Sequence, residues 1–502
     1  MAENFQHPFQ GIQFVKRKNG ASKDVLVASA GANLYSYAVE SGQRLSVWPQ
    51  DGADIATVND TGSKLEHEGP PEKKRKVDSS ENATKTAPAK KAAIWSHIPI
   101  LASTPDGEYV VALTGEDKCI RVFQIEEDGS FQQLSARPMP KRPCSITFMD
   151  ENDILIGDKF GDVYSMPLIP SATPRAVPRA PGQIKPRQPA ATNLTVHTQR
   201  NLKSLEMQQQ QLADKVNKAK DEDKPTFEHQ LLLGHVSLLT DVAFVSLPSP
   251  DPSSARKRGY ILSADRDEHI RVSRGPPQAH VIENYCLGHS SFISKLCVPQ
   301  WAPEYLISGG GDPHLLVWNW VASQILQKVP LVAPTPEPKD VAVRGIWASS
   351  LSLDNSHPIH LVLVALEGNP TLQSFTLGPD GALTPHNTIK TTSNILDVQI
   401  RPEINTVLIS VDCIREPGST EDWQSAPASS STLLEAYCLK QGNGTLEWEP
   451  VTDALINSVN AAGTSNVASD AEQKAKTALN NSLYGLENLR KAFREEDAGS
   501  VL

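Results

Sequence analysis

The stretch YCLGHSSFISKLCVPQWAPEYLISGGGDPHLLVWNW, residues 285–320, decides the fold. It holds three short runs rich in β-branched and aromatic residues, 292–298, 305–310 and 314–320, separated by Pro, Gly and Asp. Period-two alternation bounded by such residues predicts strands joined by turns. The Gly288–His289 pair is separated from Trp318–Asn319 by 28 residues, and Ser308 and Asp312 fall between them. A turn aspartate accepts hydrogen bonds from a histidine and from tight-turn amides. The histidine meets a strand serine, and the serine meets an indole N–H. Buried polar groups have to be paired, so residues of these four types occur as a set. Here the set is His289, Ser308, Asp312 and Trp318.

Outward from this stretch the pattern repeats. VLVASAGANLYSYAV (25–39), VVALTGEDKCIRVFQI (110–125) and YILSADRDEHIRVSR (260–274) each give strand, small-residue turn, strand. ILIGDKFGDVYSMPL (154–168), LVLVALEGNPTLQSFTL (361–377) and VLISVDC (407–413) with LLEAYCL (433–439) are looser copies. Asp267 precedes Asp312 by 45 residues, and Asp117 precedes Phe160 by 43. A period in the low forties with four short strands per unit marks a propeller blade. The unit before the opening stretch offers His235, Ser263 and Asp267, with Ser273 where tryptophan would stand. The expected fold is all-β, a seven-bladed WD-repeat propeller with disordered inserts and a C-terminal helix. Residues 1–49 give blade one, 94–169 blades two and three, and 228–450 blades four to seven with a loop insert at 414–431.

The inserts are polar. Residues 50–93 contain PPEKKRKVDSS, which places Lys73, Lys74, Arg75 and Lys76 side by side in a chain of net charge −10. This run resembles a short basic nuclear-import signal, which needs an accessible cationic strand; a solvated loop and a diffuse RNA contact are its alternatives. Residues 170–227 hold seven prolines, and from 171 to 205 six basic residues and no acid. These segments, with 414–431, are too polar to bury themselves and are expected to be loosely attached. Residues 451–502 form a tail in which Leu479, Leu483, Leu486, Leu489 and Phe493 stand near helical spacing. That spacing predicts an amphipathic helix over about 470–494 that docks on the ring or on a partner.

Function classes narrow accordingly. The net acidity argues against general nucleic-acid binding. The six cysteines lie far apart without ligand spacing, so reduced buried thiols are expected. The amino terminus has no secretion-signal design and no apolar run reaches membrane length, which gives the expectation of a soluble intracellular chain. No P-loop, dinucleotide fingerprint, H-E-x-x-H or G-x-S-x-G is present. SGGGD at 308–312 reads as a hairpin, without the following helix that a phosphate loop needs. No catalytic, cofactor or metal residue is assigned.

One hairpin is unusual. ADRDEHIRVSR (264–274) gathers Arg266, Asp267, Glu268, His269, Arg271 and Arg274, although a blade needs only its aspartate. Arg271 alternates with Ile270 and Val272, so it is either paired between blades or free at the ring's edge. A partner-docking role for Arg266, Asp267, Glu268 and Arg271 stands beside the reading as an interblade ion pair or solvated cluster.

LLLGHVSLLTDVAF (231–244), ILSADRDEHIRVSR (261–274), the opening stretch, KRPCSITF (141–148), GDKFGDVYSMPL (157–168) and LYGLENLRK (483–491) together resemble one family. It is the non-catalytic WD-repeat subunit of eukaryotic tRNA (guanine-N7-)-methyltransferase, in a fungal form. The resemblance implies a heterodimer with a separate catalytic subunit that holds S-adenosylmethionine. It implies N7-methylguanosine formation in the variable loop of tRNA, in the nucleus, with tRNA reached through the complex. It implies no membrane contact and no cofactor or small substrate on this chain. The alternative functions are a generic nuclear scaffold for chromatin or ribosome assembly, and a hydrolase or lyase site in the central channel.

Overall fold

The computed structural model describes residues 4–18, 24–50, 95–170, 203–205, 207, 227–248, 257–333, 340–353, 358–425, 432–442, 445–468 and 473–491. The basic run Lys73–Lys76, most of 171–226, and Phe493 lie outside the described residues.

The middle strands set the architecture. Val25–Ala30, Tyr109–Thr114, Leu361–Leu366 within Ile359–Leu366, and Thr406–Val411 are buried along nearly their whole length. A strand covered on both faces reads as a continuous apolar run, not an alternating one. Here the covers are the neighbouring sheets. Leu262 and Val272, for example, pack with Leu306, Leu316, Trp318 and Trp320 of the next sheet. Seven consecutive antiparallel sheets result, six of four strands and one of five.

The inner strands are Gly11–Val15, Ile100–Ser103, Pro143–Phe148, Leu239–Pro248, Ile293–Cys297, Val343–Leu351 and Ile395–Arg401. Each touches the next, and the seventh touches the first, so the ring is closed. The protein is a seven-bladed β-propeller.

Blades one and seven are each contiguous in sequence, so no blade is completed by a strand from the opposite terminus. Closure comes from other contacts. Asp397 of blade seven accepts the amide of Ile12 in blade one at 2.9 Å. Beyond blade seven, helix α1 (Ala454–Ala462) is capped by Asp453, which accepts from the Ile456 amide, and it buries Leu455, Ile456 and Val459. It leads to a strand, Asn466–Ala468, that pairs antiparallel with Asn4–Gln6. Asn4–Gln6, ahead of blade one, is thereby clasped to Asn466–Ala468, beyond blade seven.

Three boundaries differ from the sequence reading. The outer strand of blade three is Gln230–Gly234, paired with Asp162–Pro167, so blade three resumes after the long insert and does not end at 169. Residues 414–425 are anchored at their start, not loose throughout: Ile414 and Arg415 are buried, and the Arg415 guanidinium lies over the rings of Trp423 and Tyr484. Helix α2 spans Gln473–Leu483 and stops well short of 494. Its continuation is ended by Glu367, whose carboxylate captures the amides of Gly485 and Leu486. No helix among the described residues is long and apolar enough to cross a membrane.

Candidate functional site: the loop face of blades three and four

The hairpin turns and interblade loops share one face of the ring, and the blade hydrogen bonds are organised beneath it. In blade five one assignment of protons satisfies every group. The Trp318 indole N–H can only donate, so Ser308 Oγ accepts it at 2.8 Å. The Ser308 hydroxyl then donates to His289 Nε2 at 2.7 Å, which leaves Nδ1–H to donate to Asp312 Oδ2 at 2.7 Å. Asp312 also accepts from the Ser290 amide and hydroxyl. Burial pushes the Asp312 carboxyl up, but the bonds from His289 and Ser290 outweigh it and hold the pKa at about 2.

Blade four corrects the sequence assignment. His235 Nε2 lies 2.7 Å from Ser263 Oγ, but its Nδ1 meets Asp265 Oδ2 at 3.2 Å, not Asp267. Asp265 ends its strand pointing inward and caps the turn by accepting the amides of Asp267 and His269. Glu268 at φ 74° then carries the turn outward, and the Asp267 side chain is left 46% exposed. Asp158 caps the corresponding turn of blade three through the amides of Phe160 and Asp162.

Arg271 is likewise spent inside the ring. It is buried, with Nε donating to Ser273 Oγ at 2.9 Å and one terminal nitrogen donating to the Gly234 carbonyl at 3.0 Å. Because Gly234 belongs to blade three, Arg271 ties two blades together. Charge reversal at Arg271 therefore acts first on the ring and is no clean probe of docking.

The channel-facing acids are tied down in the same way. Asp241 accepts from Ser145 at 2.7 Å in blade three and from the Leu296 amide at 2.9 Å in blade five. Asp397 accepts the amides of Ile12 and Val398, and burial pushes its pKa up to about 6. These carboxylates splice inner strands, which is a structural use of their lone pairs. Among the described residues no group of three or more His, Cys, Asp or Glu side chains is placed to hold a metal ion.

The tail crosses this face from blade seven to blade four. Leu479, Leu483 and Tyr484 join a core cluster with Phe5, Leu396 and Ile414. The Tyr484 hydroxyl donates to Asp412 at 2.5 Å and accepts from Asn394 at 3.2 Å. The chain then crosses blades six and five, where Arg344 donates to the Leu483 carbonyl at 2.6 Å and Arg490 to the Val341 carbonyl at 2.9 Å. It arrives at blade four, where Arg266 Nε donates to the Leu489 carbonyl at 2.8 Å. Lys491 Nζ sits 3.2 Å from both Asp267 and Glu268. The charged hairpin singled out in the sequence thus holds the chain's own tail.

Next to the charged hairpin lies an exposed apolar pair. Phe160, in the blade-three turn, is 63% exposed with Lys141 Nζ 4.3 Å from its ring centroid, and Val236 is fully exposed. The His235 amide donates to the Gly161 carbonyl at 2.8 Å, which seats the loop of Val236 against the turn of Phe160. The Arg266 amide donates to the Leu238 carbonyl at 2.8 Å, joining that loop to the charged hairpin. Lys141, Phe160, Val236, Arg266, Asp267 and Glu268 therefore form one continuous surface. Sequence reading missed Phe160 and Val236 as surface groups. The available signal was an aromatic inside GDKFGD, a turn otherwise made of small and charged residues.

Comparison with known proteins fits this architecture. Residues 26–437 match the family model described as the tRNA methyltransferase TRM82 WD40 domain. A relative from Aspergillus oryzae, named tRNA (guanine-N(7)-)-methyltransferase non-catalytic subunit trm82, is 52% identical over 99% of this chain and 100% of its own length. Relatives of the same name from Aspergillus clavatus and Coccidioides immitis are 51% and 41% identical, over 99% and 95% of this chain and 100% and 96% of theirs. The chain belongs to the TRM82 WD40 family, the non-catalytic propeller subunits of tRNA (guanine-N7-)-methyltransferase.

Proposed function

We propose that this propeller binds a separate S-adenosylmethionine-dependent methyltransferase through the loop face of blades three and four. By doing so it holds that subunit in the arrangement that forms N7-methylguanosine in the variable loop of tRNA. The observation that carries this reading is the exposed Phe160–Val236 pair, rimmed by Lys141 on one side and Arg266, Asp267 and Glu268 on the other. A compact apolar centre with a charged rim is the anatomy of a protein interface. The carboxylates at the channel are committed to backbone amides, so the contribution to catalysis is binding energy. A subunit that prefers the partner's active arrangement raises its population in proportion to that preference.

Reconstitution tests the reading. Methyl transfer from S-adenosylmethionine to tRNA is expected only when both purified chains are present. Transfer by this chain alone, or by the catalytic chain equally well without it, would overturn the proposal. The run Lys73–Lys76 supplies the nuclear address in this reading. A fluorescent fusion carrying alanine at Lys73, Lys74, Arg75 and Lys76 is expected to remain in the cytoplasm; undiminished nuclear accumulation would remove that assignment.

A further inference from the structure

We infer that residues 487–491 are a displaceable latch, which occupies part of the partner's docking face in the free subunit and is released when the partner binds. The inference rests on the docking reading above.

The tail has two halves of different character. Up to Tyr484 it is anchored by buried apolar contacts and a buried tyrosine–carboxylate bond. From Gly485 to Lys491 no residue is buried; Arg490 keeps part-buried bonds to the Val341 and Gly311 carbonyls and lies over the Phe292 ring, whereas the ion pairs of Lys491 are open to solvent. Lys491 is 51% exposed, and its acceptors Asp267 and Glu268 are 46% and 34% exposed. Burial lowers the Lys491 ammonium, but the bonds and attraction from Glu268 and Asp267 together outweigh it and lift it above its usual range. Exposed pairs of this kind hold weakly and are screened by salt.

Position makes this weakness consequential. The tail occupies Arg266 Nε, Asp267 and Glu268, the charged rim beside Val236 and Phe160. A partner that closes over the apolar pair and uses this rim has to supply its own carbonyl and cation there, displacing Leu489 O and Lys491 Nζ. A docking face that is free only a fraction of the time lowers apparent affinity by that fraction. By reciprocity the bound partner loosens the tail.

The test uses the full-length chain and the purified catalytic subunit of the family. Lys491→Glu places a third carboxylate against Asp267 and Glu268 and is expected to open the latch. Affinity for the partner should rise about three- to tenfold at low salt, and the gain should vanish above roughly 0.5 M salt. Hydrogen exchange gives an independent readout. The amides of Leu489 and Arg490, bonded to the carbonyls of Leu486 and Glu487 in the native turn, should lose protection in Lys491→Glu and in the wild-type complex. Unchanged or weaker binding by Lys491→Glu, or retained protection in the complex, overturns the latch. Phe160→Asp run alongside separates the two ideas. If it leaves complex formation intact, the docking face itself is misplaced; if only Lys491→Glu is silent, the latch alone fails. Absence of any complex removes both.

Discussion

Asp312→Ala is expected to destabilise the propeller by about 3–5 kcal/mol, read as a shift in the chemical-denaturation midpoint at neutral pH. The side chain is 2% exposed and accepts from the His289 ring and from the Ser290 amide and hydroxyl. Truncation removes the acceptor at the end of a directed chain, Trp318 to Ser308 to His289 to Asp312. His289, itself buried, is then left with an unanswered N–H. A buried donor without a partner forfeits more than the net value of the bond it made.

The pH dependence has a definite sign. Because the folded pKa of about 2 lies below the ordinary value of 3.8, the ionised carboxylate favours the fold. That contribution, on the order of 2 kcal/mol, is complete above about pH 4–5 and is lost as pH falls toward 2. Asp312→Asn should lose this acid limb as well as stability at neutral pH. A variant whose midpoint moved by less than about 1 kcal/mol would show that the chain of bonds is ornamental.

Sequence was sufficient for the repeat. Strand, turn and strand recur with so regular a period that seven sheets were legible without any motif in five of them. Pairing across a long insert was not. Gln230–Gly234 bonds to Asp162–Pro167 through a register that no local pattern encodes. Asp267 precedes Asp312 by one blade period of 45 residues, and that spacing alone pairs it with the histidine. The period matches but the turns do not. Asp265 already closes the turn of blade four from the strand end, and the left-handed Glu268 throws Asp267 outward. Equal spacing in sequence is equal geometry only where the turn type is the same.

The charged hairpin was legible as a surface feature, but not the identity of its present occupant. Leucine spacing was read as a helix through residue 494. Glu367 ends that helix early by offering a carboxylate to two amides, and the freed chain can then cross to blade four. The polar loop at 414–425 is anchored for a similar reason. Arg415 stacks between Trp423 and Tyr484, a contact between segments that composition alone cannot reveal.

Phe160→Asp is expected to weaken binding to the catalytic subunit by roughly 100-fold or more while leaving the ring intact. The two halves of that expectation follow from one observation, the 63% exposure of the side chain. An aromatic side chain offers about 150–250 Å². Covering the exposed part of Phe160 in an interface removes on the order of 120 Å² from water, worth about 3 kcal/mol. Aspartate forfeits this and adds a carboxylate that the apolar centre would have to desolvate.

Folding, by contrast, has little at stake at this position. The Phe160 amide remains bonded to Asp158 at 2.7 Å, and the phenyl ring's near neighbour is the mobile end of Lys141. The melting temperature should therefore stay within about 2 °C of wild type. Phe160→Leu, which keeps most of the apolar area, should retain binding within about fivefold. Calorimetric titration and thermal melts of the same samples separate the outcomes. Loss of binding with loss of fold would return Phe160 to the ring's own packing, and unchanged binding would place the partner on another face.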